Sequence, residues 1–278
     1  MGDSYDSQRL KDLIQSFRDC KTAAEERALI LREKAIIRNS FIEQEHQFRL
    51  RNLAKLIWIN MLGFETDFGQ LECLNSLCTE DFSLKKIGYL GLSIFFSEKS
   101  EILLMATNRI RVDLQDKNQY VVSLALTAFS EIADENMCRE LLPTVLLKLK
   151  STQKYIRKKA MLTSLRVLRK VPDLVSEFTP FLSDLIDTKN HALLMCCLTL
   201  AQTVITIDPT LKKHFKNHTK ALMKLLKELS ITYSTEYDCD GINDPFLQAT
   251  ILEFLHAMSD DENIKDDFCG LLATLTCN

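Results

Sequence analysis

Three cations open one apolar stretch of this chain: Arg49, Arg51 and Lys55, in FRLRNLAKLIWINML. Arg51 and Lys55 stand i,i+4 and share a helix face, with Arg49 just before them. Point charges beside the unsatisfied N–H groups of a helix start suit a phosphorylated head group. From charge alone an ordinary solvated face is the better reading of the same three residues. A second cluster, Arg157-Lys158-Lys159 with Arg166, Arg169 and Lys170 beyond it, follows the apolar opening of a repeat. There an Arg that holds neighbouring units together is the better reading. His214 and His218 are also i,i+4, a spacing able to grip a metal. Lys212, Lys213, Lys216 and Lys220 surround them with no acidic third ligand near, so a solvated basic face is expected and no metal. Asp238, Asp240 and Asp244 lack the regular calcium-loop spacing. The chain has no Gly-x-Gly-x-x-Gly, phosphate loop or Gly-x-Ser-x-Gly, and no converging titratable set. No catalysis and no cofactor are expected.

The elements that must carry these residues repeat. Gln119-Tyr120-Val121 returns as Lys154-Tyr155-Ile156, a step of 35 residues. Ile87 lies 34 before Val121, Leu53 lies 34 before Ile87, and Ala192 falls 36 after Ile156. A period of that size over five units marks stacked helical pairs, because one pair cannot bury its apolar face alone. The expected fold is all-α, a right-handed α-solenoid of armadillo/HEAT-like helical pairs, as one continuous array over 1–278.

Helix by helix, Ser7 or a neighbour is expected to cap a first helix bearing Leu10, Leu13, Ile14 and Phe17. Lys21–Asn39 reads as an alternating-charge helix whose apolar side is Ala24, Ala28, Ile30, Leu31, Ala35 and Ile36, with a break near Asn39-Ser40. Gly63 suits a left-handed terminator after Leu62. Ser83 opens the next unit, and Gly88 and Gly91 inside its helix imply close helix–helix approach, since mid-helix glycine weakens a helix by up to about 1 kcal/mol. A further helix is expected from Ser100-Glu101. Pro172 and Pro209 suit the first turn of second helices, and Pro143 and Pro180 mark kinks or entry points. Residues 231–244 read as the longest irregular connection. Trp58 reads as core.

Composition agrees. The chain has 278 residues, is 46% hydrophobic and 26% charged, and holds only seven Gly and five Pro, which favours helix over hairpin-rich sheet. Its net charge of −3 is too small to imply nucleic-acid binding through overall charge. Nine scattered cysteines without Cys-x-x-Cys read as reduced thiols. MGDSYDSQ has no apolar signal core, Asp6 stands where a myristoylation signal wants Ser or Thr, and no apolar run is long enough to span a bilayer. A cytoplasmic protein is expected. LLATLTCN does not look like the polar cap a solenoid end needs, which points to a longer solenoid or a covering subunit.

Several segments resemble the large adaptins of clathrin adaptor complexes. They are Phe68-Gly69-Gln70-Leu71-Glu72-Cys73-Leu74 with Lys86-Ile87-Gly88-Tyr89-Leu90-Gly91, Tyr155-Ile156-Arg157-Lys158-Lys159-Ala160, Arg169-Lys170-Val171-Pro172-Asp173-Leu174, and Gly241–Leu252. The likeness runs from Leu10 to about Thr276. The first run and Met137-Cys138-Arg139 resemble the gamma type. FIEQEHQF and the residues before Leu10 are this chain's own.

The resemblance implies the N-terminal part of an adaptin trunk, a non-enzymatic subunit without cofactors, with the rest of the trunk, the hinge and the ear absent. It implies a heterotetramer with a beta-type large adaptin, a medium (mu) and a small (sigma) subunit. It implies binding to Arf GTPase, to membrane phosphatidylinositol 4-phosphate and to acidic dileucine cargo tails, with clathrin bound only through regions absent here. The implied location is peripheral, on Golgi and trans-Golgi network, endosomes and clathrin-coated vesicles. Arg51 and Lys55, with Arg49 beside them, match the family's phosphoinositide motif. Arg18, in IQSFRDCKTAAEER, matches the basic residue facing the acidic group of the dileucine signal, a task for a charge-assisted hydrogen bond. The rival reading is a free-standing helical-repeat protein-binding scaffold outside any adaptor tetramer.

Overall fold

The computed structural model describes residues 9–44, 46–96, 103–181, 186, 188–232, 236–260 and 262–276. The chain forms two compact units, Met1–Asp134 and Glu135–Asn278.

The first unit holds α1 (Leu10–Arg18), α2 (Ala23–Ile42), α3 (Arg49–Met61), α4 (Gln70–Leu77), α5 (Phe82–Phe95), α6 (Leu103–Asp113) and α7 (Gln119–Ile132). Capping explains several starts. The Thr22 side chain accepts from the Glu25 N–H, Asp81 from Ser83 and Asn118 from Tyr120, which satisfies donors that the helix leaves open. The fifth helix thus starts at Phe82, one residue before the Ser83 expected to open this unit, with Asp81 as its cap. Gly63, at φ +89°, ends the turn after α3 as expected. The residues expected to cap α1 and to open α6, Ser7 and Ser100-Glu101, lie outside the described residues.

Within this unit α4 packs on α5 and α6 on α7, while α3, α5 and α7 stack on one another in turn. That is the structural content of the 34-residue step: corresponding helices of successive pairs form one layer. Gly88 and Gly91 face α4. A Cβ on Gly88 would lie 3.0 Å from the Cys73 carbonyl oxygen, and one on Gly91 would lie 2.4 Å from Cys73 Sγ. The close approach read from the sequence is present.

α2 departs from its sequence reading in two ways. It continues through Asn39-Ser40 to Ile42. Its inner stripe is Ile30, Glu33, Ile37 and Ser40, whereas Ala24, Ala28, Leu31 and Ala35 face outward, Leu31 at 65% exposure. The 3-4-3 spacing of the true stripe is helical, but two of its members are polar and are buried because α3 supplies partners for them.

The second unit holds α8 (Glu135–Leu149), α9 (Lys154–Lys170), a 3₁₀ helix (Pro172–Phe181), α10 (His191–Ile207), a second 3₁₀ helix (Pro209–His214), α11 (Lys216–Ile231), α12 (Pro245–Met258) and α13 (Glu262–Thr276). α8 packs on α9, α9 on α10, α10 on α12, and α11 on α12 and α13. Pro143 sits inside α8 and Pro180 inside the first 3₁₀ helix. Pro172 and Pro209 each begin a tight 3₁₀ turn rather than an α-helix. The connection expected to be irregular contains a small antiparallel hairpin, Asp238–Cys239 with Ile242–Asn243. Its two turn residues, Asp240 and Gly241, have φ +53° and +84°, the Asp-Gly signature of a two-residue hairpin.

Candidate functional site

The four cations singled out from sequence sit on α1 and α3. Leu13 buries the inner side of α1, and Phe17 meets Trp58 of α3 edge-on at 5.4 Å between ring centres. Trp58 itself is half-buried against this core. Arg18 then falls in the last turn of α1, exposed, where the helix carbonyl end favours a cation. It makes no ion pair among the described residues. The adjacent Asp19 accepts from Gln15 Nε2 at 2.9 Å instead.

The other three do not form one patch. Arg49 is half-buried, with Nε 3.2 Å from Glu72 Oε2 of α4. Arg51 places its guanidinium 5.3 Å from the centre of the Phe48 ring, a cation–π contact. Lys55 is fully buried and its ammonium is paired with Glu33 of α2. One turn earlier, buried Asn52 donates to Ser40 Oγ at 2.9 Å. Lys55 is therefore corrected from a surface head-group ligand to an interior tie between α2 and α3. The i,i+4 spacing holds, but Lys55 lies where α2 covers α3 and Arg51 does not share that burial. Burial of a charge requires a partner, and Glu33, 22 residues upstream, supplies it.

A second charged cluster has no counterpart in the sequence reading. Asp113, at the end of α6, is fully enclosed. Lys85 Nζ donates to its Oδ1 at 2.8 Å, Arg109 donates to the same oxygen at 2.7 Å, and Tyr89 Oη donates to Oδ2 at 2.7 Å. Lys85 also donates to the Leu77 carbonyl at 2.9 Å, so the Lys85–Asp113 pair ties α4, α5 and α6. Burial, with Asp113 beside it, pushes the Tyr89 phenol well above its ordinary range. The two i,i+4 pairs, Lys85 with Tyr89 and Arg109 with Asp113, were visible; their meeting across 28 residues was not.

In the second unit His191 Nδ1 lies 2.7 Å from Asp244 Oδ2 and its ring stacks on Tyr237 at 4.7 Å. Asp244 adopts φ +49° and accepts from the Leu247 N–H to start α12. This fastens the hairpin segment to α10. No cluster of three or more His, Cys, Asp or Glu suited to a metal occurs among the described residues. No described helix is long and apolar enough to cross a membrane.

The family model described as the adaptin N-terminal region matches residues 26–276. The chain belongs to that family. Among relatives of this adaptin chain, the AP-1 complex subunit gamma of Dictyostelium discoideum is 42% identical over 98% of this chain and 31% of its own length. The AP-1 complex subunit gamma-1 of Arabidopsis thaliana is 40% identical over 96% of this chain and 31% of its own. The gamma-type resemblance carried by Phe68–Leu74 and Met137–Arg139 agrees with those names. This adaptin chain spans about a third of the length of these relatives. Among solved structures, a homology model of the full-length AP-3 complex in an intermediate open conformation aligns with TM-score 0.51 at 21% identity, over 81% of this chain and 47% of that one. At that identity the likeness concerns fold, and with the family match it sets the adaptin chain in the all-α helical-solenoid class.

Proposed function

We propose that this adaptin chain is the N-terminal part of the trunk of a gamma-type large subunit, one continuous repeat array that works as a scaffold without catalysis. In this reading it assembles with a beta-type large, a medium and a sigma-type small subunit. Together they link Arf GTPase, phosphatidylinositol 4-phosphate and acidic dileucine cargo tails during vesicle formation at the trans-Golgi network and endosomes. The observation that carries the reading is the 42% identity to an AP-1 gamma subunit across nearly the whole chain. Arg18, exposed and without a carboxylate partner among the described residues, is the cation proposed to face the acidic residue of the cargo signal. Arg49 and Arg51 remain the proposed head-group contacts. Lys55 has no part in that set.

Co-expression with a sigma-type subunit, followed by size-exclusion chromatography with light scattering, tests the assembly. A stable one-to-one complex is expected. A lone monomer that ignores sigma transfers the weight to a free-standing repeat scaffold. In the assembled complex, Arg18→Ala is expected to weaken an acidic dileucine peptide about tenfold, the worth of one charge-assisted hydrogen bond. The loss shrinks as salt screens it. An unchanged titration removes Arg18 from the site.

A further inference from the structure

The second unit carries a charge stripe that the assembly reading does not use. Between Pro209 and Lys227 lie six lysines, two histidines and no acid, in a chain whose net charge is −3. On α11, Lys216, Lys220, Lys224 and Lys227 all face outward. At 100° per residue their spacings of 4, 4 and 3 confine them to roughly 80° of the helix surface, along about 16 Å of axis. Lys213 precedes them, also exposed. The rest of the α11 circumference holds buried Leu222, Met223, Leu226 and Leu229, so packing fixes the stripe toward solvent.

Part of the stripe is neutralised by acidic neighbours and part is not. Lys212 pairs with Asp260, and Lys224 lies 3.7 Å from Glu228. Lys213, Lys220 and Lys227 have no carboxylate within ion-pair distance among the described residues. The stripe holds no arginine, whose planar fork reads individual phosphates or carboxylates two bonds at a time. It also holds no exposed Phe, Tyr or Trp on which a nucleic-acid base would stack. Ammonium groups on long flexible stems, spread along one outer face, instead suit a diffuse and laterally mobile layer of negative charge.

We infer that the exposed lysine face of α11 is a contact surface for an anionic lipid bilayer. Attraction comes from summed charge rather than from one fitted head group. The inference rests on the charge distribution of the second unit and stands independently of sigma assembly or cargo binding.

The test is co-sedimentation of the full 278-residue chain with vesicles of phosphatidylcholine alone and with added phosphatidylserine, at ~0.1 M salt. Lys213→Gln, Lys220→Gln, Lys224→Gln and Lys227→Gln are combined in one variant. Gln matches Lys in helix propensity, and circular dichroism checks that α11 is kept. A control variant loses the same charge from dispersed exposed positions: Lys11→Gln, Lys86→Gln, Lys117→Gln and Lys154→Gln. Arg49 and Arg51 stay intact in both. The expected result is binding that needs the anionic lipid, falls more than tenfold in the stripe variant and changes less than twofold in the control. Equal losses in the two variants, an unaffected stripe variant, or a parent chain that ignores anionic vesicles would each overturn the inference. So would preferential binding of a polyglutamate peptide without vesicle binding.

Discussion

Lys55 and Glu33 test what a buried charge does in this chain. Each closes off the other from water, so removing one leaves its partner enclosed and uncompensated, at a cost of about 3–5 kcal/mol. Lys55→Met and Glu33→Gln are each expected to lower the unfolding free energy by about that amount in urea titrations. Lys55→Met together with Glu33→Leu should recover most of the loss, because a packed apolar pair removes the desolvation penalty with the charges. A cost below about 1 kcal/mol for the single changes is what a solvated lysine would give, and it would return Lys55 to the surface. The sequence shows a cation at i+4 from Arg51 and nothing of this burial. Spacing along α3 is a local property, whereas enclosure depends on where Glu33 lies once α2 has docked. Arg18 was more legible, since an exposed helix end needs no distant partner.

At the scale of the helix, glycines separate contact from propensity. Replacing a mid-helix Gly by Ala ordinarily stabilises by roughly 0.5–1 kcal/mol. Gly270 in α13 has nothing within 4 Å of an added Cβ, so Gly270→Ala should show that gain in the thermal midpoint. Gly91→Ala should reverse the sign. Its methyl would meet Cys73 Sγ at 2.4 Å, and overpacking costs about 1–3 kcal/mol. A stabilised Gly91→Ala would mean that α4 yields readily to α5. This contact was readable in advance because two glycines three residues apart in an otherwise strong helix have no other use. The exposed apolar side of α2 was misread for the converse reason. Ala24, Ala28, Leu31 and Ala35 have helical period, but the stripe that packs contains Glu33 and Ser40, and composition gives no sign that their partners wait on α3.

For the molecule as a whole, burial sets an alkaline limit. Burial pushes the Cys73 and Cys197 thiols up to about 12 from an ordinary 9.0, and Tyr89 moves the same way. A raised folded value means that this contribution is complete below about pH 9. It is lost as pH rises toward 12, where the unfolded chain gives up its protons first. Urea midpoints should therefore fall between pH 9 and 10.5, and Cys73→Ala or Cys197→Ala should flatten the fall. A parent slope in both variants would leave other groups responsible. Alkylation at pH 8 followed by mass spectrometry should mark exposed Cys78, Cys239 and Cys269 well before buried Cys73, Cys138 and Cys197. The repeat architecture behind this burial was legible because its period recurs. The polar ties were not, since Lys85 and Asp113 meet across a separation that no periodic pattern encodes. The α4–α5 seam has a mechanical meaning as well. A stack of helices flexes by letting neighbours shear, and shear requires slack. With only hydrogen at Gly88 and Gly91 between α5 and the Cys73 backbone and sulfur, that seam is stiff. Bending of the first unit is then expected at its other layers rather than at this seam.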